Sequence, residues 1–305
     1  MGLRIVEFFG FSPLSESARN YIADRRCPFT ETSCIKPEHG SCSIRQVINP
    51  EPIICCANRL YGDDFAMLGE IARQCFGEQV ELVSRSEAVK RLHGESEWSG
   101  QEVVAFGKGW GGELPLPKPT GKNAKGKASY YMDWVLAKLN QSGEIEDFTA
   151  VEVQTIDTSG SYNEVVEAFS NFREFEGFSE TGGLNWENVN KRILPQVIYK
   201  GHVLRREEKC KNGLFFVCPK QVYERIIERL GGDLHEYPIG PGTITFRSYE
   251  VGAPNPDNTY QLDFHAQFTT TVDQVALAFT SPRNLPNTGV YSDAIMKALG
   301  LSSST

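Results

Sequence analysis

The order of apolar and polar positions along the chain predicts a mixture of helices and short strands. Apolar residues recur at the spacing of one helix face in three segments: 64–76, 163–175 and 219–230. Alternation in 130–139 and in 149–157 predicts two antiparallel strands joined by a polar turn at 141–147. Four further stretches have an extended or mixed pattern: 193–204, 213–218, 243–251 and 260–272. Because strands and helices do not alternate regularly, we expect a mixed α/β or α+β fold.

The two alternating segments carry polar residues that are candidates for chemistry. Asp133 lies among apolar residues, where a carboxylate is costly unless it is paired or bound to a metal. In the second segment, the alternation turns Glu152 and Gln154 to the same side of the strand. Carboxylates on neighbouring strands can converge on Mg²⁺, and Glu113, which follows two glycines, can supply a third. Such a cluster suits phosphodiester hydrolysis, and the alternative is a solvated face of a hairpin.

Five of the eight cysteines lie between Cys27 and Cys56, in a stretch without helical or strand periodicity. No secretory signal is visible, so we expect a reducing environment and metal binding rather than disulfides. Cys27, Cys34 and Cys42, with either Cys55 or Cys56, can offer four thiolates to one ion. The spacing is irregular, and sulfur chemistry alone favours zinc over iron. Cysteines buried as small apolar residues are the alternative.

Charge is distributed unevenly along the 305 residues. The 31 basic and 39 acidic side chains give a net charge of −8, which argues against nonspecific nucleic-acid binding by the surface as a whole. Two segments are nevertheless basic, 103–140 with a net charge of +4 and 186–230 with +5. An acidic protein can therefore still present a basic cleft to a phosphate backbone. No run of 18 apolar residues occurs, so we expect no membrane span.

Several short motifs occur in one order along the chain and are together more specific than any one of them. They are Glu7-Phe8-Phe9-Gly10, Cys27-Pro28-Phe29, Thr32-Ser33-Cys34, Gly40-Ser41-Cys42, Cys56-Ala57-Asn58-Arg59, Gly111-Gly112-Glu113-Leu114, Asp133-Trp134-Val135-Leu136-Ala137 and Val151-Glu152-Val153-Gln154-Thr155-Ile156-Asp157. With these motifs, the sequence from about residue 6 to residue 230 resembles the NotI family of type II restriction endonucleases. Ala57 stands where that family usually has proline, and the resemblance is poor after residue 230.

The resemblance implies a PD-(D/E)xK restriction-endonuclease-like core with a defined set of active-site residues. That set is Glu113, Asp133, Glu152 and Gln154. Asp133 and Glu152 are expected to bind Mg²⁺, and Gln154 occupies the usual lysine position. Because an amide does not titrate, Gln154 is expected to orient water rather than to act as a base.

The resemblance also implies a loop-rich N-terminal module that holds a structural iron ion, with zinc as the alternative. Its ligands are Cys27, Cys34, Cys42 and Cys56, and the Asn-Arg that follows Cys56 marks it, rather than Cys55, as the fourth ligand. We expect an N-terminal region 1–75 containing this module within 27–56, and a nuclease core 76–230. The C-terminal region 231–305 is expected to complete the fold and to hold DNA-recognition or dimer elements.

The implied activity is Mg²⁺-dependent cleavage of both DNA strands at a specific, GC-rich palindrome, which leaves 5′-phosphate ends. A two-fold site favours a homodimer, and restriction implies a prokaryotic, cytoplasmic enzyme accompanied by a cognate DNA methyltransferase. Candidate phosphate contacts are Lys118, Lys122, Lys125, Lys127, Lys191 and Arg192.

Two other classes of function compete with restriction. The first is a noncatalytic, metal-containing DNA-binding protein, and the complete set of active-site residues argues against it. The second is a nuclease of a repair or mobile-element system, which a neighbouring methyltransferase gene would disfavour. A cysteine hydrolase is less favoured still, because none of the five histidines has a local signature that pairs it with a cysteine.

Overall fold

A computed structural model of the chain gives the arrangement of its elements. It describes the following residues: 2–36, 40–116, 130–159, 162–179, 182–282, 285 and 287–301. The strands in that part of the chain are β1 Leu3–Phe8, β2 Ser41–Gln46, β3 Ile53–Ile54, β4 Glu81–Ser84, β5 Glu102–Gly107, β6 Leu114–Pro115, β7 Tyr131–Met132, β8 Trp134–Leu139, β9 Ile145–Val153, β10 Thr158–Ser159, β11 Gly183–Leu184, β12 Leu214–Pro219, β13 Thr243–Pro254 and β14 Tyr260–Thr271.

Helices cover both faces of the largest sheet. The α-helices in the described residues are α1 Arg19–Asp24, α2 Gly62–Phe76, α3 Arg85–Leu92, α4 Asn163–Ser170, α5 Leu194–Leu204, α6 Lys220–Leu230, α7 Val272–Thr280 and α8 Val290–Ala298. Shorter helical turns are formed by Glu16–Ala18, Ala57–Tyr61 and Val189–Ile193. None of the helices in the described residues is long and apolar enough to cross a membrane.

The largest sheet has seven strands in the order β14-β13-β12-β9-β8-β5-β4. Strand β12 lies near its centre, parallel to both β9 and β13, and every one of its residues is buried. Its continuous apolar sequence is typical of a strand covered on both faces. Strands β8 and β9 pair antiparallel, as the alternating pattern predicts. The mixed α/β fold class is therefore confirmed.

The two faces of this sheet pack against different helices. On one face, Val151 and Val153 of β9 share a core with Leu68 and Ile71 of α2. On the other, the neighbouring Ala150 shares a core with side chains of α5, α6 and α7. This three-layer arrangement places β9 between α2 and α5, so that groups from both layers can reach its carboxyl end.

The predicted elements agree with the structure at most positions. They differ within 27–56, where strands β2 and β3 form although no strand was predicted, and at one later segment. Helices are confirmed at the three predicted segments, although α4 ends at Ser170, five residues earlier than predicted, and β9 ends at Val153. The extended or mixed prediction for 193–204 is wrong, because this segment forms helix α5. The segment contains β-branched residues, but Leu194, Val197, Gly201 and Leu204 repeat at helical spacing and are buried.

Candidate functional site

Asp133 occupies the break between strands β7 and β8. Its carboxylate oxygen Oδ2 accepts a hydrogen bond from the backbone N–H of Val153, 2.8 Å away, at the end of β9. The carboxylate therefore turns toward the neighbouring strand. The apolar residues that surround Asp133 in the sequence belong to the core, whereas Asp133 itself is half-buried at its margin.

Glu152 lies on β9, where only 3 % of the residue is exposed. Its oxygen Oε1 accepts a hydrogen bond from Nε2 of Gln154 at 3.3 Å. The two side chains therefore share one side of the chain, as the alternation predicts, although Gln154 lies just beyond the end of β9. The burial of Glu152 excludes the alternative of a solvated hairpin face.

Glu113 reaches the same region by way of a short antiparallel ribbon. In that ribbon Leu114 of β6 pairs with Met132 of β7. Glu113 precedes Leu114 and Asp133 follows Met132, so the register brings the two acidic residues next to each other. Glu113 is exposed, and it forms the solvent side of the site.

Sequence reasoning missed Lys200, which α5 carries into the site. Its ammonium nitrogen Nζ lies 2.5 Å from Oε2 of Glu152, and 95 % or more of both side chains is buried. A lysine is rarely buried so completely unless it is paired. The helical spacing of the apolar residues in 194–204 was the available signal, because it places Lys200 beside Val197 and Gly201 on the face toward the sheet.

The charges of the site act on Asp133. Burial, and after it the charge of Glu152, raise the pKa of Asp133 well above its usual range, while the ammonium of Lys200 acts in the opposite direction. A cation bound between the carboxylates of Asp133 and Glu152 would reduce their mutual repulsion and stabilise their charged forms.

The carboxylate cluster suits a hard divalent cation in its chemistry. Among the described residues, the ammonium of Lys200 is the one polar group beside Oε2 of Glu152, so a cation that displaced this ammonium would find a free ligand oxygen. Oxygen donors of this kind are the ligands that Mg²⁺ prefers. Among the described residues, however, no three His, Cys, Asp or Glu side chains are arranged to hold a metal ion.

Comparison with known families identifies the segment that contains this site. Residues 116–217 match the family described as restriction endonuclease NotI. The resemblance to the NotI family is confirmed. No curated protein matches the chain. The match covers about a third of the 305 residues and includes Asp133, Glu152, Gln154 and Lys200.

The NotI match supports a site-specific nuclease that binds DNA. It does not extend to Glu113 or to the cysteines of the N-terminal region.

Three of the candidate cysteines, Cys27, Cys42 and Cys56, lie near the turn Ala57–Tyr61. Cys27, Cys42 and Cys56 are buried and Cys34 is partly buried. The backbone N–H of Cys56 donates to the carbonyl oxygen of Cys42 at 3.2 Å. The thiol of Cys55 points elsewhere, 3.6 Å from the carbonyl oxygens of Ser41 and Cys42, so Cys56 is the better candidate for a fourth ligand.

Three of the four sulfurs receive hydrogen bonds. The side-chain amide of Asn58 donates to the sulfur of Cys27 at 3.5 Å. Burial raises the pKa of Cys34 and Cys56, and backbone hydrogen bonds from Lys36 and Asn58 oppose this shift. Burial dominates nevertheless, and it raises the pKa of Cys56 to about 12. Burial also raises the pKa of Cys42. A soft metal ion would stabilise the thiolates of such a site.

The candidate DNA contacts divide into two groups. Lys191 and Arg192 are exposed on the helical turn that leads into α5, and Lys191 forms an ion pair with Glu187. The other candidates, Lys118, Lys122, Lys125 and Lys127, lie outside the described residues.

Proposed function

We propose that the protein is a type II restriction endonuclease that uses Mg²⁺ to cut both DNA strands at a specific, GC-rich palindrome. The observation that carries this proposal is the meeting of Asp133 and Glu152 at the end of β9, inside the segment that matches the NotI family. The mixed sheet that holds them is proposed as a PD-(D/E)xK core. Its cleavage products are expected to be 5′-phosphate and 3′-hydroxyl ends.

The residues of the site are proposed to have different roles in the reaction. Asp133 and Glu152 would hold Mg²⁺, which supplies Lewis acidity and an activated water when it is bound. Glu113, on the solvent side, adds negative charge next to Asp133. Gln154 cannot accept the proton of the water, and it orients the water through its amide. Its hydrogen bond to Glu152 keeps that amide at the site.

The proposed partners follow from the symmetry and charge of the substrate. A two-fold palindrome is matched by a homodimer, in which each copy cuts one strand. Lys118, Lys122, Lys125, Lys127, Lys191 and Arg192 are proposed to contact phosphates. Arginine and lysine also recognise guanine in the major groove, which suits a GC-rich site. A restriction role further calls for a cognate methyltransferase and for a prokaryotic, cytoplasmic setting.

Digestion of a sequence-diverse DNA tests the proposed function. The purified protein is incubated with the DNA in Mg²⁺ and, separately, in EDTA, and the new ends are sequenced. We expect discrete Mg²⁺-dependent fragments whose ends share one palindrome and carry 5′-phosphates. If the folded protein shifts a duplex but leaves it intact in Mg²⁺, the noncatalytic DNA-binding function replaces the proposal.

We further propose that Cys27, Cys34, Cys42 and Cys56 hold one structural iron ion. The support is the burial of Cys27, Cys42 and Cys56 and the hydrogen bonds that three of the four sulfurs receive. Iron rests on the family resemblance, since four thiolates alone suit zinc equally well.

Metal analysis of the native protein and of Cys42→Ser and Cys218→Ser tests the cysteine module. We expect about one iron per wild-type chain, with the visible colour of a ferric tetrathiolate, as four-thiolate coordination of one ion requires. Cys42→Ser is expected to lose both metal and colour. Cys218→Ser, in a buried cysteine of β12, is the matched control and should keep both. A colourless protein that contains zinc would overturn the choice of iron.

A further inference from the structure

The ion pair between Lys200 and Glu152 places a positive charge at a carboxylate proposed to bind the catalytic cation. Only about 5 % of the Lys200 side chain is exposed, and its ammonium lies 2.5 Å from Oε2 of Glu152. Taking a lysine out of water to this extent is costly, and an apolar side chain of similar length would often stabilise the fold as well as a buried ion pair. Stability of the fold alone therefore does not explain why position 200 is a lysine.

Position 154 carries an uncharged side chain next to Glu152. Gln154 stands close to Glu152, with its amide nitrogen 3.3 Å from Oε1, but an amide carries no charge. The two oxygens of Glu152 thus have different neighbours, an amide on the strand side and an ammonium on the helix side. In the described residues, the cationic group paired with this carboxylate comes from α5.

We propose that Lys200 is the lysine of this active site, supplied by helix α5 because the strand position is held by Gln154. In the DNA-free chain its ammonium rests on Glu152 and balances the charge of the two carboxylates. When DNA is bound, the same ammonium contacts the scissile phosphate and stabilises the negative charge that develops there. A lysine suits this exchange, since its charge sits at the end of a flexible four-carbon stem.

This inference rests on the proposed function, and the experiment separates the two. The duplex carries the palindrome identified by digestion, and wild-type cleavage is measured first. The variants are Lys200→Met, Gln154→Lys and the double variant Lys200→Met/Gln154→Lys. Lys138→Met is the matched control, because Lys138 is also partly buried but pairs with the backbone oxygen of Gly100, away from the carboxylates.

Three readouts are compared: single-turnover cleavage in Mg²⁺, duplex affinity in Ca²⁺, and Ca²⁺ affinity without DNA. We expect Lys200→Met to cleave about 10²–10³-fold more slowly, which is the usual effect of losing one preorganised electrostatic contact. Its duplex affinity should stay within about threefold, since most of that affinity comes from other phosphate contacts. Without DNA it should bind Ca²⁺ at least about threefold more tightly, because the repelling ammonium is gone.

The double variant distinguishes a role in catalysis from a role in folding. Gln154→Lys restores an ammonium from the strand side, so the double variant should recover at least about tenfold of the rate lost by Lys200→Met, as expected when one charge replaces another. It also restores the charge balance, so it remains informative if Lys200→Met alone does not fold. A merely structural lysine would not be rescued from a different position.

Failure of the proposed function and failure of the role proposed for Lys200 give different results. If wild type never cleaves, the proposed function fails, irrespective of Lys200. If wild type cleaves and a folded Lys200→Met cleaves at the same rate, or binds Ca²⁺ no more tightly, the proposal for Lys200 is overturned. A folded double variant that is no faster than Lys200→Met also overturns it. Lys138→Met is expected to match wild type in all three readouts.

Discussion

Asp133→Asn is expected to lower the rate of DNA cleavage in Mg²⁺ by at least about 10²–10³-fold, the effect of removing one preorganised electrostatic contact. The substitution removes the negative charge proposed to hold the cation but keeps an oxygen that can accept the hydrogen bond from Val153. It is therefore a cleaner test than Asp133→Ala, which would leave a buried N–H without an acceptor. Single-turnover cleavage and duplex binding in Ca²⁺ are measured side by side.

Duplex binding should survive this change, because phosphate contacts elsewhere dominate affinity. Asp147→Asn is the matched control: Asp147 also lies on β9 and accepts a backbone hydrogen bond, from Lys211 at 3.1 Å, but at the opposite end of the strand. We expect it to cleave like wild type. Undiminished cleavage by Asp133→Asn would remove Asp133 from the active site.

Arg59→Met is expected to lower the free energy of unfolding by about 3–5 kcal/mol, the usual cost of breaking a buried ion pair. Nε of Arg59 lies 2.6 Å from Oε1 of Glu7, and the two side chains are only 2 % and 0 % exposed. Its Nη2 donates to the backbone oxygens of Tyr260 and Gln261 on β14, at 2.8 and 3.0 Å. The substitution leaves the carboxylate and both carbonyl oxygens without a cation. Urea unfolding measures the loss.

Two further variants test the cause of this destabilisation. Glu7→Gln/Arg59→Met removes both charges, so it should be more stable than Arg59→Met by at least about 1 kcal/mol. Arg19→Met breaks an exposed pair with Glu16 and should have no measurable effect. If Arg59→Met unfolds at the same urea concentration as wild type, the buried pair does not stabilise the fold.

Periodicity predicted the elements that bear the acidic residues, because those segments are long enough for the pattern to be clear. The alternation around Asp133 and Glu152 identified β8 and β9 and placed both carboxylates at one site. The same reasoning missed Lys200. The segment 193–204 contains both β-branched residues and a helical repeat, and only packing against the sheet decides in favour of the helix.

Contacts between distant segments account for what the sequence could not predict. Glu113 reaches Asp133 only because β6 pairs with β7. Arg59 pairs with Glu7 and donates hydrogen bonds to the backbone of β14. Because β14 lies more than 200 residues further along the chain, no local sequence pattern could predict this contact. Cysteine spacing likewise predicted a cluster, but it could not show which sulfurs receive hydrogen bonds.

The helical turn Ala57–Tyr61 joins three parts of the molecule within five residues. Cys56 precedes it, Arg59 within it holds β14, and the ring of Tyr61 packs 5.6 Å from that of Trp134, the residue after Asp133. One inserted residue would rotate everything beyond it by about a third of a turn and break these contacts together. Natural variation in chain length is therefore expected to avoid this turn and to accumulate in surface loops.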